Sequence, residues 1–296
     1  MPDTRAAFTV DPNRGPSDPL FRFGVIADPQ YAAIPPNREL NRYYAKSLGK
    51  LNEAIETFNA AELQFVVTLG DIIDRDFASY DDILPLYSRL RHPQFFLLGN
   101  HDFAVAAQHL PAIAARVGLE RTYYDFAGGG YRFILLDGNE VSLFAPPEGD
   151  SRRAIAADHL EALTAAGAAN AQRWNGALSD AQFAWLDQTI SAAEQAGERI
   201  IVMNHYPVYP ANAHNLWDSE RVADRLTRSR HVVAYFNGHN HAGNYGALGD
   251  IHFVNFKGMV DTPDSNTYAI VEIFEDRIAI HGFGREESRV LPLARG

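Results

Sequence analysis

Five short polar clusters carry side chains of metal-ligand type: Asp28 and Gln30 in ADPQ, Asp71 and Asp74 in GDIID, Asn100 and His101 in GNHD, His205 in NHYP, and His239 and His241 in GHNH. The chain has no cysteine, so disulfides, thiolate metal sites and cysteine nucleophiles are excluded and the available donors are oxygen and imidazole nitrogen. Residues two apart at a strand end point to one side, so Asp28 with Gln30, and His239 with His241, can each converge on one locus. Gly70, Gly99 and Gly238 stand beside these clusters, where a sharp turn and room for an ion are needed. Two cations about 3.5–4 Å apart need a shared anionic oxygen, and Asp71 is suited to be that bridge. Taken singly, an Asp after a strand is a turn former and a His beside an apolar run is structural. Five such clusters, each closing an apolar run, point instead to a two-metal centre. His92, His109, His159, His214, His231, His252 and His281 lie outside the clusters and take the structural reading.

The elements that must position these groups are legible as alternation. FRFGVIAD (21–28), LQFVVTLGD (63–71), QFFLLGNHD (94–102), RIIVMNHYPV (199–208) and HVVAYFNGHNH (231–241) read as buried strands ending in polar clusters. Helices are expected over 39–61, 79–91, 104–117, 180–196 and 219–229, with Ser179 or Asp180 capping the fourth. This is the pattern of a layered α/β fold, whose ligands sit at the carboxyl ends of the strands. IHFVNFKGMV, TYAIVEIFE and RIAIHGFGRE read as a mostly antiparallel C-terminal sheet. Residues 1–20 read as a loosely ordered, Pro-rich lead-in without signal-peptide character, 21–296 as one domain, and 137–178 as an insertion or lid over one edge.

At 296 residues and 46% hydrophobic, the chain can bury a large core, which excludes global disorder. A net charge of −11 argues against a nucleic-acid polymer or an anionic membrane as partner. No apolar stretch is long enough to span a bilayer, and a cytoplasmic location is the default expectation. A small anionic substrate fits only if positive charge is gathered in one cleft, as bound metal would do.

The order D-x-[H/Q], GDxxD, GNH[D/E], a later His, then GHxH resembles the calcineurin-like metallophosphoesterase superfamily, over residues 23–241. The resemblance implies a four-layer α/β/β/α (α+β) sandwich with an inserted segment. It implies one ion on Asp28, Gln30, Asp71 and His241, and a second on Asp71, Asn100, His205 and His239. His101 would be the catalytic non-ligand histidine, supported by Asp74 or Asp102. Gln30 departs from the usual D-x-H. With Tyr31-Ala32, Arg42-Tyr43-Tyr44, WNGALSDAQFAWLDQTI, HYPVYP, LWD and the run from FNGHNHAGNYG to VNFKGMVDTPDSNTYAIVEIF, it is similar to the Mn-dependent ADP-ribose/CDP-alcohol diphosphatases over most of the chain.

An amide oxygen in place of imidazole makes the first site harder, which suits Mn²⁺ over softer ions, with Mg²⁺, Co²⁺, Fe or Zn²⁺ as alternatives. Two divalent ions bring four positive charges against the two negatives of Asp28 and Asp71, so the site would attract a diphosphate within an acidic protein. The resemblance thus implies metal-dependent hydrolysis of ADP-ribose, CDP-choline and related CDP-alcohols to a nucleoside monophosphate and a phosphorylated partner, by in-line attack of metal-activated water on phosphorus. Tyr31, Tyr209 and Trp217 are candidate faces for a base, Arg42 a candidate phosphate or ribose contact, and 262–266 a candidate lining of the mouth. The alternatives are a cyclic nucleotide phosphodiesterase or phosphomonoesterase with the same metals, or a non-catalytic binding module.

Overall fold

The run FRFGVI forms the strand Phe21–Ile26 (β1), and its alternation divides the side chains between two cores. Phe21, Phe23 and Val25 face an inner cluster, while Ile26 faces an outer one. The same division holds in Phe65–Leu69 (β2), with Phe65, Val67 and Leu69 inward and Val66 outward. The computed structural model describes residues 8–294, and in it β2 is buried along its whole length, apolar on both faces but for Thr68, as a buried parallel strand requires.

The remaining strands are Gln94–Leu97 (β3), Tyr124–Gly128 (β4), Tyr131–Leu135 (β5), Arg199–Met203 (β6), Val232–Asn237 (β7), Asn244–Leu248 (β8), Ile251–Asn255 (β9), Thr267–Ile273 (β10), Arg277–Gly284 (β11) and Arg289–Pro292 (β12). Two six-stranded sheets result, ordered β12-β11-β10-β1-β2-β3 and β4-β5-β6-β7-β9-β8. Between them lies an aromatic core in which Phe23 stacks on Phe65 at 4.7 Å and Phe126 on Phe133 at 4.8 Å. Ser47–Asn59 (α1), Ser79–Tyr87 (α2) and the short Ile113–Arg116 (α3) cover the outside of the first sheet. Asp180–Gln195 (α5) and Ser219–Thr227 (α6) cover the second, and Ser151–Ala165 (α4) packs through Ala156 on Val141, Ala177 and Trp217. The four-layer sandwich is therefore the observed architecture.

Several local expectations shift. The helix expected over 39–61 begins only at Ser47, because residues 37 and 42 pair as a small bridge and 44–46 form a 3₁₀ turn. The stretch 104–117 is a 3₁₀ turn through Pro111 followed by α3. Ser179 rather than Asp180 caps α5, accepting the N–H of Gln182. The three C-terminal strands do not form one sheet. β9 runs parallel to β7 in the second sheet, while β10 and β11 pair antiparallel in the first, with β10 against β1. The β4–β5 hairpin was not anticipated.

Of the lead-in, residues 1–7 lie outside the described residues. From Phe8 onward the chain is tied down: Phe8 packs on the inner core, edge-on to Phe21 at 4.9 Å, and its carbonyl accepts the N–H of Gly129. Positions 128 and 129 are glycine because any Cβ there would run into the Phe8 or Phe21 ring. The segment 137–178 is likewise fastened. Val141 and Ala177 exchange both backbone hydrogen bonds, and Asn139 receives the Tyr206 hydroxyl at 2.6 Å.

Candidate metal centre

β1, β2 and β3 are parallel, as are β5, β6, β7 and β9, so each sheet delivers its carboxyl ends to one edge. There the clusters at 28, 71 and 100 from one sheet meet those at 205, 239 and 241 from the other. The strand pleat does not align them, because β1 stops at Ile26 and β7 at Asn237. The alignment comes from left-handed turns: Asp28 (φ 48°), Gln30 (φ 44°), Asp71 (φ 51°) and His239 (φ 67°) all occupy a region costly to non-glycine residues. Such strain persists only where the surroundings dictate it, and four of the seven described non-glycine residues with positive φ fall here.

Two groups of ligand atoms form, and both include Asp71. Asp28, Asp71 and His241 lie within 4.8 Å of one another, as do Asp71, His205 and His239. Asp28, Gln30, Asp71 and His205 are fully buried. Small residues keep the space open. A Cβ at Gly70 would press on the His205 ring, at Gly99 on Asp71 and His205, at Gly238 on Asp28, and at Gly258 on His241.

The hydrogen bonds fix which atoms are left for a ligand. His205 Nδ1 donates to the Leu69 carbonyl at 2.8 Å, which leaves Nε2 with its lone pair, 3.4 Å from Asp71 Oδ2 and 3.2 Å from Asn100 Oδ1. His239 Nε2 contacts Asn175 Oδ1 at 3.0 Å, freeing Nδ1. His241 Nδ1 contacts Asp261 Oδ1 at 2.8 Å, freeing Nε2, which lies 3.7 Å from Asp28 Oδ1. Gln30 donates through Nε2 to Asp74 at 2.7 Å. Its Oε1 is buried without a hydrogen-bond partner, as is Asp71 Oδ2. Orphaned buried oxygens are costly and call for a partner, and Asp71 belongs to both groups of converging ligand atoms. The donor set therefore fits two cations with Asp71 between them.

The electrostatics agree. Burial alone would lift the Asp71 carboxyl, but the neighbouring His205 and His101 hold it far below the usual carboxylate range. Burial would likewise depress His205, yet the Asp71 and Asp28 carboxylates and the Leu69 carbonyl raise it to about 9. The cluster attracts positive charge even with protons alone.

His101 stands at the rim with its side chain one-quarter exposed, its Nδ1 3.0 Å from Asp74 Oδ1. Burial opposes a proton on it, and Asp71 and Asp74 outweigh burial, so it is raised above the ordinary histidine value. Asp74 also receives Gln30 and Arg75, so one carboxylate orients a metal-ligand candidate and the rim histidine together. Asp102 does not support His101. It turns inward, accepting the N–H groups of Ile72, Ile73 and Gly99 and the Tyr80 hydroxyl, and so shapes the two loops that carry Asp71 and Asn100.

The expected aromatic faces are elsewhere. Tyr31 is buried in the outer core of the first sheet with its hydroxyl on Asp82. Tyr209 packs on Phe253 at 5.3 Å behind the second sheet. Trp217 is buried with Val141, Ala156 and Ala177, and its Nε1 donates to the Gln172 carbonyl, which fastens the segment 137–178. Each is held by packing that periodicity alone did not reveal. Arg42 pairs through its backbone with Asp261, the residue behind His241, which puts its charge close enough to act on His101 and His214. Of 262–266, Asn266 is buried on the Lys50 carbonyl; Gly258 and Asp261, just before this segment, lie against His241 instead. Sequence reasoning missed Asn175, Asp261 and His214, whose ring lies 5.3 Å from that of His239. Asn175 sits in WNGALSD and Asp261 one residue before the flagged segment, so both were within sight but without an assigned partner.

Comparison with known proteins agrees with this geometry. The family described as calcineurin-like phosphoesterase matches residues 21–243. A manganese-dependent ADP-ribose/CDP-alcohol diphosphatase of Arabidopsis thaliana is 29% identical over 91% of this chain and 96% of its own length. The Homo sapiens protein of the same name is 28% identical, with 93% of each chain covered. The crystal structure of a dimetal phosphatase from Danio rerio superposes with a TM-score of 0.84 at 26% identity, covering 94% of this chain and all of that one.

Proposed function

This chain belongs to the calcineurin-like phosphoesterase family, and from that premise we propose that it is a two-metal hydrolase of nucleoside diphosphate compounds. ADP-ribose and CDP-alcohols such as CDP-choline are the substrates, and a nucleoside monophosphate and a phosphorylated partner are the products. The carrying observation is the pair of donor groups that share Asp71, together with the unpartnered buried oxygens Asp71 Oδ2 and Gln30 Oε1. The similarity to relatives named for this activity, over nine-tenths of the chain, supports the substrate class.

Asp28, Gln30, Asp71 and His241 would hold one ion, and Asp71, Asn100, His205 and His239 the other. Bound there, two divalent ions neutralise phosphoryl charge and acidify water. The donors are four or more oxygens with three imidazoles and no sulfur, a set suited to Mn²⁺, the ion in the relatives' names. Asp74 holds His101 Nδ1 and, with Asp71, favours a proton on the partly exposed ring, so His101 is placed to donate a proton to the departing phosphate oxygen. Arg42 adds a fixed positive charge at the mouth, where it can meet the second phosphate. Asn100, His101 and His241 are partly exposed while Asp28, Gln30, Asp71 and His205 lie buried beneath, so a diphosphate would meet the site at this rim.

A panel of ADP-ribose, CDP-choline, cyclic AMP and p-nitrophenyl phosphate, each with Mn²⁺, Mg²⁺, Co²⁺ or Zn²⁺, tests the reading. Preference for the two diphosphates with Mn²⁺ is expected. Preference for cyclic AMP or p-nitrophenyl phosphate would replace it with the phosphodiesterase or monoesterase reading, and no turnover at all would leave a binding module.

A further inference from the structure

The three histidines of the centre are held by unlike partners. His205 donates to a backbone carbonyl and His239 meets a neutral amide, whereas His241 Nδ1 lies 2.8 Å from a carboxylate oxygen of Asp261. A carboxylate behind a ligating imidazole fixes its tautomer and orientation and makes its free nitrogen a stronger donor. The site that receives this help is also the one whose donor set contains the neutral amide Gln30.

The loop that carries Asp261 is built with unusual care. Lys50, on α1, is buried and directs its ammonium to three carbonyls of this loop: Met259 at 2.8 Å, Asp261 at 2.6 Å and Thr262 at 2.7 Å. Those bonds use all three ammonium donors. All three partners are carbonyls and none is a carboxylate. Burying an ammonium costs free energy that hydrogen bonds must offset, so the charge is committed to this loop's position. Arg285 holds the Gly258 carbonyl at 2.6 Å. The N–H groups of Met259 and Val260 bond the carbonyls of Ala27 and Asp28, which ties the loop to the strand end carrying Asp28 itself. Gly258 lets the backbone lie against the imidazole, since a Cβ there would come within 2.6 Å of His241 Cγ and Nδ1.

We propose that Asp261, fixed by the Lys50 clamp on residues 259–262, is a positioning residue that strengthens the ion site of His241, Asp28 and Gln30 independently of its neighbour. The proposal rests on the two-metal reading above. Its experiment is Mn²⁺ titration of the full chain by calorimetry, with electron paramagnetic resonance to separate single ions from coupled pairs. Asp261→Asn keeps the shape and removes the charge; Asp264→Asn makes the same charge change on an exposed residue of the same segment. Asp261→Asn is expected to weaken one of two Mn²⁺ sites about 10–100-fold. The other site and the melting temperature of the metal-free chain should stay as in wild type. At one equivalent of Mn²⁺ beyond the tight site's capacity, the coupled-pair signal should give way to isolated ions. Lys50→Met should weaken the same site, and Asp264→Asn neither. Two sites of wild-type affinity in Asp261→Asn would overturn the proposal while leaving the two-metal reading intact. Equal weakening by Asp264→Asn would also overturn it, by reducing the effect to general charge. A wild-type chain that binds fewer than two ions would overturn the two-metal reading and the proposal with it.

Discussion

Gly99→Ala isolates the geometry of the centre from the chemistry of its ligands, because it deletes no donor and adds one methyl. The backbone at 99 does not lie in the left-handed region, so alanine carries no conformational penalty there. The added Cβ would overlap Asp71 Oδ1 and come within 2.6 Å of both the Asp71 nitrogen and His205 Cε1. Non-bonded carbons prefer about 3.5 Å or more, so the His205 ring must retreat by roughly 0.9 Å and the Asp71 carboxylate, which is closer, by more. Overpacking of this kind costs about 1–3 kcal/mol of stability. A misplacement near 1 Å in a catalytic array costs about 10²-fold in rate, or roughly 2.7 kcal/mol. Since Asp71 is shared by both donor groups, retention of both ions should suffer together. The assay is kcat/KM on ADP-ribose with Mn²⁺ titration and thermal melting. Gly49→Ala is the comparison: it lies in α1 with nothing within 4 Å of a new Cβ, and should raise stability by about 0.5–1 kcal/mol with activity unchanged. Wild-type metal affinity and turnover in Gly99→Ala would refute the claim that Asp71 and His205 are held at the distances their function needs.

Three further outcomes are expected. His101→Ala should lower kcat by about 10²–10⁴ with bound manganese unchanged, measured by steady-state kinetics alongside elemental analysis; loss of metal would make His101 a ligand rather than a proton donor. Asp71→Asn should empty both ion positions, which elemental analysis reads directly, and retention of one tightly held ion would deny it the bridging place. Burial, with the Arg285 charge, lowers Lys50 from 10.5 to about 8. Between those values the unfolded chain holds a proton that the folded chain lacks, so stability should rise with pH from about 8 to 10.5 relative to Lys50→Met. A flat difference between the two melting profiles would show that the three carbonyls keep the ammonium at its ordinary value.

The amino-acid sequence by itself determined the donor types, their places after apolar runs, and the layered fold that gathers them. These are properties of short windows: continuous apolar runs make the buried strands, and strand-closing polar residues mark the ligand edge. Even there the physical account changed, since left-handed turns at Asp28, Gln30, Asp71 and His239 align the ligands where the pleat has already ended. What only the tertiary structure decided is who stands behind each ligand. Asp74 rather than Asp102 holds His101, Asn175 holds His239 from 64 residues away, Asp261 holds His241, and Lys50 grips a loop more than 200 residues distant. It also withdrew Tyr31, Tyr209 and Trp217 from the mouth into packing. Hydrogen-bond partners far apart in the chain meet only after the sheets have packed, and nothing in local spacing records which buried donor will find which acceptor.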